Sequence, residues 1–225
     1  MTNFNRRQFG LMFGAGAAAL ALPTYLRAQG KPRVVVIGGG AGGATAARYI
    51  AKDSKGEIDV TLIDASEKFT TCFFSNLYLG GFRDFDSITH GYERLQSNYG
   101  INKITAFAKS VDKASKMVIL ADGSSVPYDR LVVSPGIDLI YDSVEGYSEE
   151  AAEIAPHAWK AGPQTQLLKA KLDAVKDGEQ IVMVAPPNPY RCPPGPYERV
   201  SMMAHMLKAK GHTNSKIIIL EAFCF

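Results

Sequence analysis

Short apolar runs alternate with helix-like segments along the chain. Arg33–Ile37 is a run rich in β-branched residues, which is typical of a buried parallel strand. Ala44–Lys52 then predicts a helix, and Asp59–Ile63 predicts a second strand. Later strands are expected at Ile101–Phe107, Gln180–Val184 and Lys216–Leu220. Because strands and helices alternate, the pattern predicts an α/β fold built on a parallel sheet.

A glycine-rich segment joins the first strand to the first helix. It contains the pattern GxGxxG at Gly38, Gly40 and Gly43. The first glycine permits a tight turn, the second lets the backbone approach a pyrophosphate, and the third lets helix and strand pack closely. Since strand, glycines, helix and second strand occur in the required order, the segment predicts dinucleotide binding. A glycine-rich turn without a ligand is the alternative.

Three further residues complete this predicted binding unit. Ala41 and Gly42 lie where the helix begins, and the N-terminus of a helix attracts phosphate. Asp64 ends the second strand, 21 residues after Gly43. A carboxylate in that position accepts hydrogen bonds from a ribose. The unit therefore offers groups for the phosphates and for a ribose of a dinucleotide.

A second feature distinguishes FAD from NAD. The segment Tyr128–Gly136 predicts a strand that ends in Ser134, Pro135 and Gly136. It resembles the strand and turn that two-domain FAD enzymes of the glutathione reductase type place against the flavin. By itself it fits equally well an ordinary strand followed by a Pro-Gly turn. Together with the glycines it favours FAD.

The second predicted nucleotide-binding unit lacks its glycines. Ala185-Pro186-Pro187 follows the strand Gln180–Val184, where a pyridine-nucleotide domain would place GxGxxG. Proline has no N–H group to offer a phosphate, and its ring blocks close approach. NAD(P)H binding in this second unit is therefore not expected.

Cys72 follows the second strand by a few residues, on the path that leads toward the flavin in such folds. A cysteine there can serve as a redox thiol or as a covalent tether. Phe73 and Phe74 come next, so a buried and inert cysteine is the alternative.

Cys192 lies in a different setting. The segment 186–196 contains six prolines, which predict a rigid loop, and a helix follows from Pro196 to Gly211. Arg191 and the helix N-terminus would both favour the thiolate of Cys192. A rigid loop that presents a cysteine suits chemistry that depends on position. A purely structural loop is the alternative.

Charge and cysteine spacing exclude several classes of protein. The chain has 25 basic and 22 acidic residues, and three of the basic ones, Arg6, Arg7 and Arg27, lie within the first 28 residues. The remainder is neutral and has no basic run, which argues against nucleic-acid binding. No CxxC or His/Cys cluster occurs, so neither a metal site nor a covalently attached haem is expected.

The first 28 residues have the pattern of an export signal. Arg6-Arg7 precede an uncharged stretch, Phe9–Leu22, whose 14 residues are too few to span a membrane as a helix. Pro23 breaks the stretch, and a cleavage site is expected after Ala28. We expect removal of a twin-arginine signal, a periplasmic protein and no stable membrane anchor. A membrane-anchored N-terminal helix is the alternative.

Taken together, the segments from about Lys31 to Glu221 resemble the flavoprotein subunit of flavocytochrome c sulfide dehydrogenase. The most specific segments are Gly38–Ala47, Thr71–Gly81, Glu145–Ala152, Pro156–Gly162 and Cys192–Arg199. The resemblance implies FAD bound covalently through Cys72, and a redox-active disulfide that contains Cys192. It also implies oxidation of sulfide, with electrons passing to a c-type cytochrome subunit that carries the haem c.

The resemblance also sets the expected domain organisation. It implies a glutathione-reductase-like FAD-binding domain at residues 31–160 and the start of a second, incomplete α/β domain at 161–225. The family continues well past the strand Lys216–Leu220, so a truncated gene product is expected, in which Cys224 is accidental. Two alternatives stay open: a flavoprotein like sulfide:quinone oxidoreductase, and an inactive FAD-binding fragment.

Overall fold

The computed structural model describes residues 30–221 of the 225-residue chain. The predicted export signal at residues 1–28 and Cys224 lie outside the described residues. The strands are β1 (Arg33–Ile37), β2 (Asp59–Asp64), β3 (Lys68–Thr70), β4 (Thr89–Gly91), β5 (Asn102–Thr105), β6 (Ala108–Asp112), β7 (Met117–Leu120), β8 (Ser125–Pro127), β9 (Arg130–Val133), β10 (Gln180–Val184) and β11 (Lys216–Leu220). The helices are α1 (Ala41–Asp53), α2 (Ser75–Leu79), α3 (Glu93–Tyr99), α4 (Glu149–Ile154), α5 (Pro163–Ala174) and α6 (Gly195–Ala209).

A parallel four-stranded sheet forms the centre of the first region, in the order β5-β2-β1-β9. β1 pairs with β2 from Arg33 opposite Asp59 to Ile37 opposite Ile63, and with β9 on its other side. Because β1 is enclosed on both sides, its three valines are buried, as the continuous apolar run predicts.

The two faces of this sheet are covered differently. On one face, Ala47 and Ala51 of α1 pack with Val36, Leu62 and the buried Tyr92. The other face is covered by the antiparallel sheet β6-β7-β8, whose core residues are Val118 and Leu120, together with Tyr128. Helix, parallel sheet and antiparallel sheet therefore form three layers, and the predicted α/β fold class is confirmed.

A second, smaller core lies around the parallel pair β10-β11. Its buried residues come from α2, α5 and α6; they are Leu79, Leu172, Met203, Met206 and Leu207. Ile181, Met183 and Ile217 pack against them from the strands. The alternate residues of both strands, such as Val184 at 56% exposure, face away from these helices.

Element boundaries differ slightly from the sequence prediction. α1 begins at Ala41 and not at Ala44, because Gly40 lies at its N-cap and the two following glycines form the first turn. The strand predicted at residues 101–107 is confined to Asn102–Thr105. Between residues 30 and 221, no helix is long and apolar enough to cross a membrane. The same residues contain no cluster of three or more side chains that could hold a metal ion.

Candidate functional site

The glycine loop lies at the carboxyl end of β1, where β1 passes into α1. Gly38 has a φ of +95°, and its N–H donates to the Ile63 carbonyl at 2.8 Å. A Cβ on Gly38 would overlap the carbonyl oxygen of Ser134, and a Cβ on Gly43 would overlap the carbonyl oxygen of Gly38. These two glycines are therefore required by the fold itself.

Gly40 differs from its neighbours. Its φ of −69° and ψ of −170° suit any residue, and a Cβ there would meet only the Phe69 ring, at an ordinary 3.5 Å. The protein itself thus has room for a side chain at Gly40. A glycine where the fold does not need one fits a loop whose backbone a ligand approaches closely.

The start of α1 provides donors beside that space. The first N–H groups of a helix have no partner within the helix, and they carry the positive end of its dipole. Here they belong to Ala41, Gly42 and Gly43, while the N–H of Ala44 already donates to Gly40 at 2.9 Å. With 13 residues, α1 is long enough for its N-terminus to carry this positive charge, which suits a pyrophosphate.

The turn Ser134-Pro135-Gly136 lies against the glycine loop. The N–H of Ser134 donates to the carbonyl of Ile37 at 2.8 Å. The Ser134 hydroxyl oxygen lies 2.7 Å from the position that a Cβ on Gly42 would take. Gly136 turns the chain with a φ of +85°. The structure thus brings together the two segments from which the sequence predicts FAD binding.

Asp64 also reaches the loop. One oxygen of its carboxylate accepts from the N–H of Gly39 at 2.6 Å, and the other accepts from the N–H of Ser66 at 2.8 Å. The carboxylate therefore lies beside the glycine loop, as a ribose-binding group must, and it also braces that loop.

Tyr92 and Lys103 are two residues of this site that sequence reasoning missed. The Tyr92 hydroxyl donates to the carbonyl of Gly39 at 3.1 Å. Burial, and then the nearby carboxylate of Asp64, raise the pKa of Tyr92 to about 12. The ammonium of Lys103 lies 4.9 Å from the centre of the Tyr92 ring and donates to the Asp64 carbonyl. Burial lowers the pKa of Lys103, although Asp64 and Glu67 oppose that shift. No local motif marks either residue.

Cys72 begins a short 3₁₀ turn, Cys72–Phe74, directly before α2. Its side chain is exposed, so the burial expected in the alternative of an inert cysteine is not observed. The aromatic neighbour Phe73 is also 66% exposed. Thr71 is buried, and its hydroxyl has no hydrogen-bond partner within residues 30–221. An orphaned hydroxyl beside an open thiol fits a segment that contacts a bound group.

Cys192 is exposed and lies at the start of α6. Its φ is +61°, a conformation that costs a non-glycine residue roughly 1–2 kcal/mol. Its carbonyl accepts from the N–H of Gly195 at 2.8 Å. A Cβ on Gly195 would lie 3.5 Å from the Cys192 sulfur and 2.9 Å from the Trp159 ring. The thiol and the Trp159 ring therefore both lie next to Gly195.

Arg199 joins three separate segments around the cysteines. It is 6% exposed, and its guanidinium donates to the Asn76 side chain at 3.1 Å and to the carbonyls of His157 and Ala158 at 2.8 and 2.9 Å. Burial lowers the pKa of Arg199 to about 10, with Glu198 and Cys192 opposing the shift, so the group stays charged at neutral pH. Asn76 follows Cys72 by four residues, and Arg199 follows Cys192 by seven. One side chain thus connects both cysteine-bearing segments.

Comparison with known proteins assigns the family. Residues 32–183 match the family described as pyridine nucleotide-disulphide oxidoreductase. The chain belongs to this family. Residues 165–223 match a second description, the central part of the sulfide dehydrogenase [flavocytochrome c] flavoprotein chain. The predicted resemblance to that flavoprotein and the predicted class of oxidoreductase are thereby confirmed.

Individual relatives agree with this assignment. The chain is 32% identical over 181 residues to the sulfide-quinone reductase of Aquifex aeolicus, covering 79% of this chain and 40% of that protein. It is 51% identical over 47 residues to the sulfide dehydrogenase [flavocytochrome c] flavoprotein chain of Chlorobaculum thiosulfatiphilum, covering 21% of this chain and 96% of that sequence. The solved structure of the Aquifex aeolicus sulfide:quinone oxidoreductase superimposes with a TM-score of 0.67 at 24% identity, covering 84% of this chain and 43% of that one. The chain spans about two fifths of the Aquifex protein that it matches.

Proposed function

We propose that this protein is an FAD-dependent oxidoreductase that oxidises sulfide at Cys192. The observation that carries the proposal is the pairing of two features on one chain. The glycine loop leaves its backbone open at Gly40, and an exposed cysteine with a φ of +61° lies three residues before α6 begins. Relatives named for the oxidation of sulfide support the choice of substrate.

The residues present fit FAD. The first N–H groups of α1 would bind its pyrophosphate, and Asp64 would bind the adenosine ribose. The turn Ser134-Pro135-Gly136 would lie along the flavin side. When bound, FAD accepts two electrons together and releases them singly. The segment Ala185-Pro186-Pro187 follows β10 in place of a second glycine loop, so NAD(P)H binding there is not part of the proposal.

The proposed sulfur chemistry is a thiol exchange. Cys192 starts in a disulfide with a second cysteine that lies outside residues 30–221, since the other cysteine within them, Cys72, is the proposed tether. Hydrosulfide attacks the Cys192 sulfur. One sulfur–sulfur bond forms as the other breaks, the second cysteine leaves as a thiolate, and the hydrosulfide proton passes to solvent. The exposure of Cys192 gives hydrosulfide access.

Cys72 is the proposed covalent tether. It is exposed, it precedes α2, and the buried Thr71 hydroxyl beside it lacks a partner among residues 30–221. A thioether survives acid, whereas FAD held only by packing is released when the protein unfolds. Acid precipitation of the wild-type protein should therefore give a yellow pellet, and Cys72→Ser should release flavin into the supernatant. Cys192→Ser is the matched control and should keep the pellet yellow. Acid-stable flavin in Cys72→Ser would rule out the tether.

A periplasmic c-type cytochrome subunit carrying haem c is the proposed electron acceptor. The similarity to the flavocytochrome c flavoprotein chain supports it. A quinone is the second candidate, favoured by the 32% identity to a sulfide-quinone reductase. Sulfide-dependent reduction of added cytochrome c, compared with that of a soluble quinone, distinguishes the two acceptors. Faster turnover with the quinone would overturn the first choice.

Export through the twin-arginine pathway is the proposed route to the periplasm. It rests on Arg6-Arg7 and the weakly apolar stretch that follows them. Replacing both arginines by lysine should leave the precursor in the cytoplasm, which cell fractionation measures. A normal periplasmic yield of that variant would refute this route.

A further inference from the structure

Gly39, in the middle of the glycine loop, is held from both ends. Its N–H donates to the Asp64 carboxylate at 2.6 Å, and its carbonyl accepts from the Tyr92 hydroxyl at 3.1 Å. A Cβ on Gly39 would overlap that hydroxyl. The Tyr92 hydroxyl therefore needs a residue without a side chain at this position. Its hydrogen bond fixes the orientation of the peptide group between Gly39 and Gly40.

The geometry of the peptide bond gives this orientation a consequence. In a planar trans peptide, the carbonyl of Gly39 and the N–H of Gly40 point in opposite directions. Tyr92 is 5% exposed and packs in the core beneath α1, so the Gly39 carbonyl points into the protein. The Gly40 N–H consequently points away from that core, and within residues 30–221 it has no hydrogen-bond acceptor.

We propose that Tyr92 is a positioning residue of the cofactor loop, whose hydroxyl turns the Gly39–Gly40 peptide so that the Gly40 N–H faces the pyrophosphate. The inference rests on the proposed binding of FAD. It adds a specific donor, the Gly40 N–H, and the side chain that directs it.

The surroundings of Tyr92 maintain this arrangement. Lys103 and Asp64 are the charged groups that face its ring and hydroxyl. Burial and Asp64 raise the pKa of Tyr92 to about 12, so the phenol stays protonated and remains a donor at neutral pH. Lys103 packs over the ring and also donates to the carbonyls of Asp64 and Ile104, so it joins the ring to the ends of β2 and β5.

Tyr92→Phe in the 225-residue chain tests the proposal, because it removes one oxygen and keeps the ring. Tyr99→Phe is the matched control; its hydroxyl lies at the end of α3 and accepts from Arg48. The probes are FAD and ADP, titrated calorimetrically against apoprotein. We expect Tyr92→Phe to bind both about tenfold more weakly, the size of one hydrogen bond, and Tyr99→Phe to match wild type. Equal affinities in all three proteins would overturn the proposal, as would loss of the fold in Tyr92→Phe.

A second measurement needs no variant of Tyr92. In wild-type protein labelled with ¹⁵N-glycine, ADP should shift the amide proton of Gly40 downfield and leave that of Gly39, already bonded to Asp64, much less changed. Gly40→Ala assigns the signal. A shifted Gly39 with an unchanged Gly40 would refute the proposed orientation. Wild type that binds neither FAD nor ADP would instead refute the proposed function.

Discussion

The glycine loop, Gly38–Gly43, and the cysteine region, meaning the segments around Cys72 and Cys192, are held in place by different means. The loop is fixed by backbone atoms: a Cβ on Gly38 or Gly43 would overlap a carbonyl oxygen. The cysteine region is fixed by one buried side chain, Arg199, which donates to Asn76, His157 and Ala158. The loop tolerates no added atom at Gly38 or Gly43, whereas the cysteine region depends on a side chain that can be shortened stepwise. The two regions should therefore respond differently to substitution.

The difference also concerns distance along the chain. Apart from the hydrogen bond from Tyr92, the loop contacts lie within one strand–helix–strand unit and the turn that follows β9. The Arg199 contacts span 123 residues in the case of Asn76. A short motif encodes the glycines of the loop, whereas the Arg199 contacts form only when distant segments have folded together.

The largest expected effects come from substitutions at two glycines that lie three residues apart and should respond in opposite ways. Gly43→Ala should lower the free energy of unfolding by about 1–3 kcal/mol or more, because its Cβ meets the Gly38 carbonyl. Gly40→Val should keep the fold, since only the Phe69 ring lies near, yet abolish retention of FAD. Urea unfolding and the flavin content of the purified variants measure both effects. Unchanged flavin in Gly40→Val would mean that the cofactor lies elsewhere.

Arg199→Met should have the next largest effect. It leaves the Asn76 side chain, the part-buried His157 carbonyl and the buried Ala158 carbonyl without their donor, at a cost of roughly 1–3 kcal/mol for an unsatisfied buried group. Arg199→Lys should recover only part of this, because an ammonium cannot reproduce the planar fork. The exposed Arg94 provides the control Arg94→Met, which should unfold like wild type. The rate at which iodoacetamide alkylates Cys192 should differ from the wild-type rate in Arg199→Met and should equal it in Arg94→Met. Equal alkylation in wild type and Arg199→Met would show that Arg199 does not position Cys192.

A smaller effect is expected from the backbone of Cys192. Its φ of +61° favours glycine, so Cys192→Gly should be more stable than Cys192→Ala by about 1 kcal/mol. Thermal unfolding of the two variants gives the comparison directly. A more stable alanine variant would show that the left-handed conformation is not maintained.

The smallest effect concerns an exposed pair in the first region. Arg33 donates to both carboxylate oxygens of Asp129 and lowers the pKa of Asp129 to about 2. Because the folded pKa lies below the unfolded value of about 3.9, the pair stabilises the fold above pH 4 and loses that contribution as the pH falls toward 2. Asp129→Asn should remove this part of the pH dependence. If the stability of Asp129→Asn fell as steeply as that of wild type between pH 4 and pH 2, the pair would not be the source of this pH dependence.

Sequence patterns located the loop region well and the cysteine region only in part. β1, the glycines and β2 follow from apolar runs and spacing, since each signal is local. The aromatic neighbours of Cys72 did not predict its exposure, because they are themselves exposed. Arg199, Tyr92 and Lys103 carry no local signal, because their partners lie far away in the sequence. Their roles arise from burial, which a single sequence does not reveal.

The central claim is that the loop holds FAD while Cys192 performs the sulfur chemistry. The most direct test is anaerobic addition of sulfide to wild type and Cys192→Ser, each loaded with flavin, while the flavin absorbance is followed. The account predicts rapid bleaching in wild type. In Cys192→Ser it predicts equal flavin content and no bleaching by sulfide, although dithionite still reduces the flavin. Bleaching of Cys192→Ser by sulfide at the wild-type rate would contradict the account.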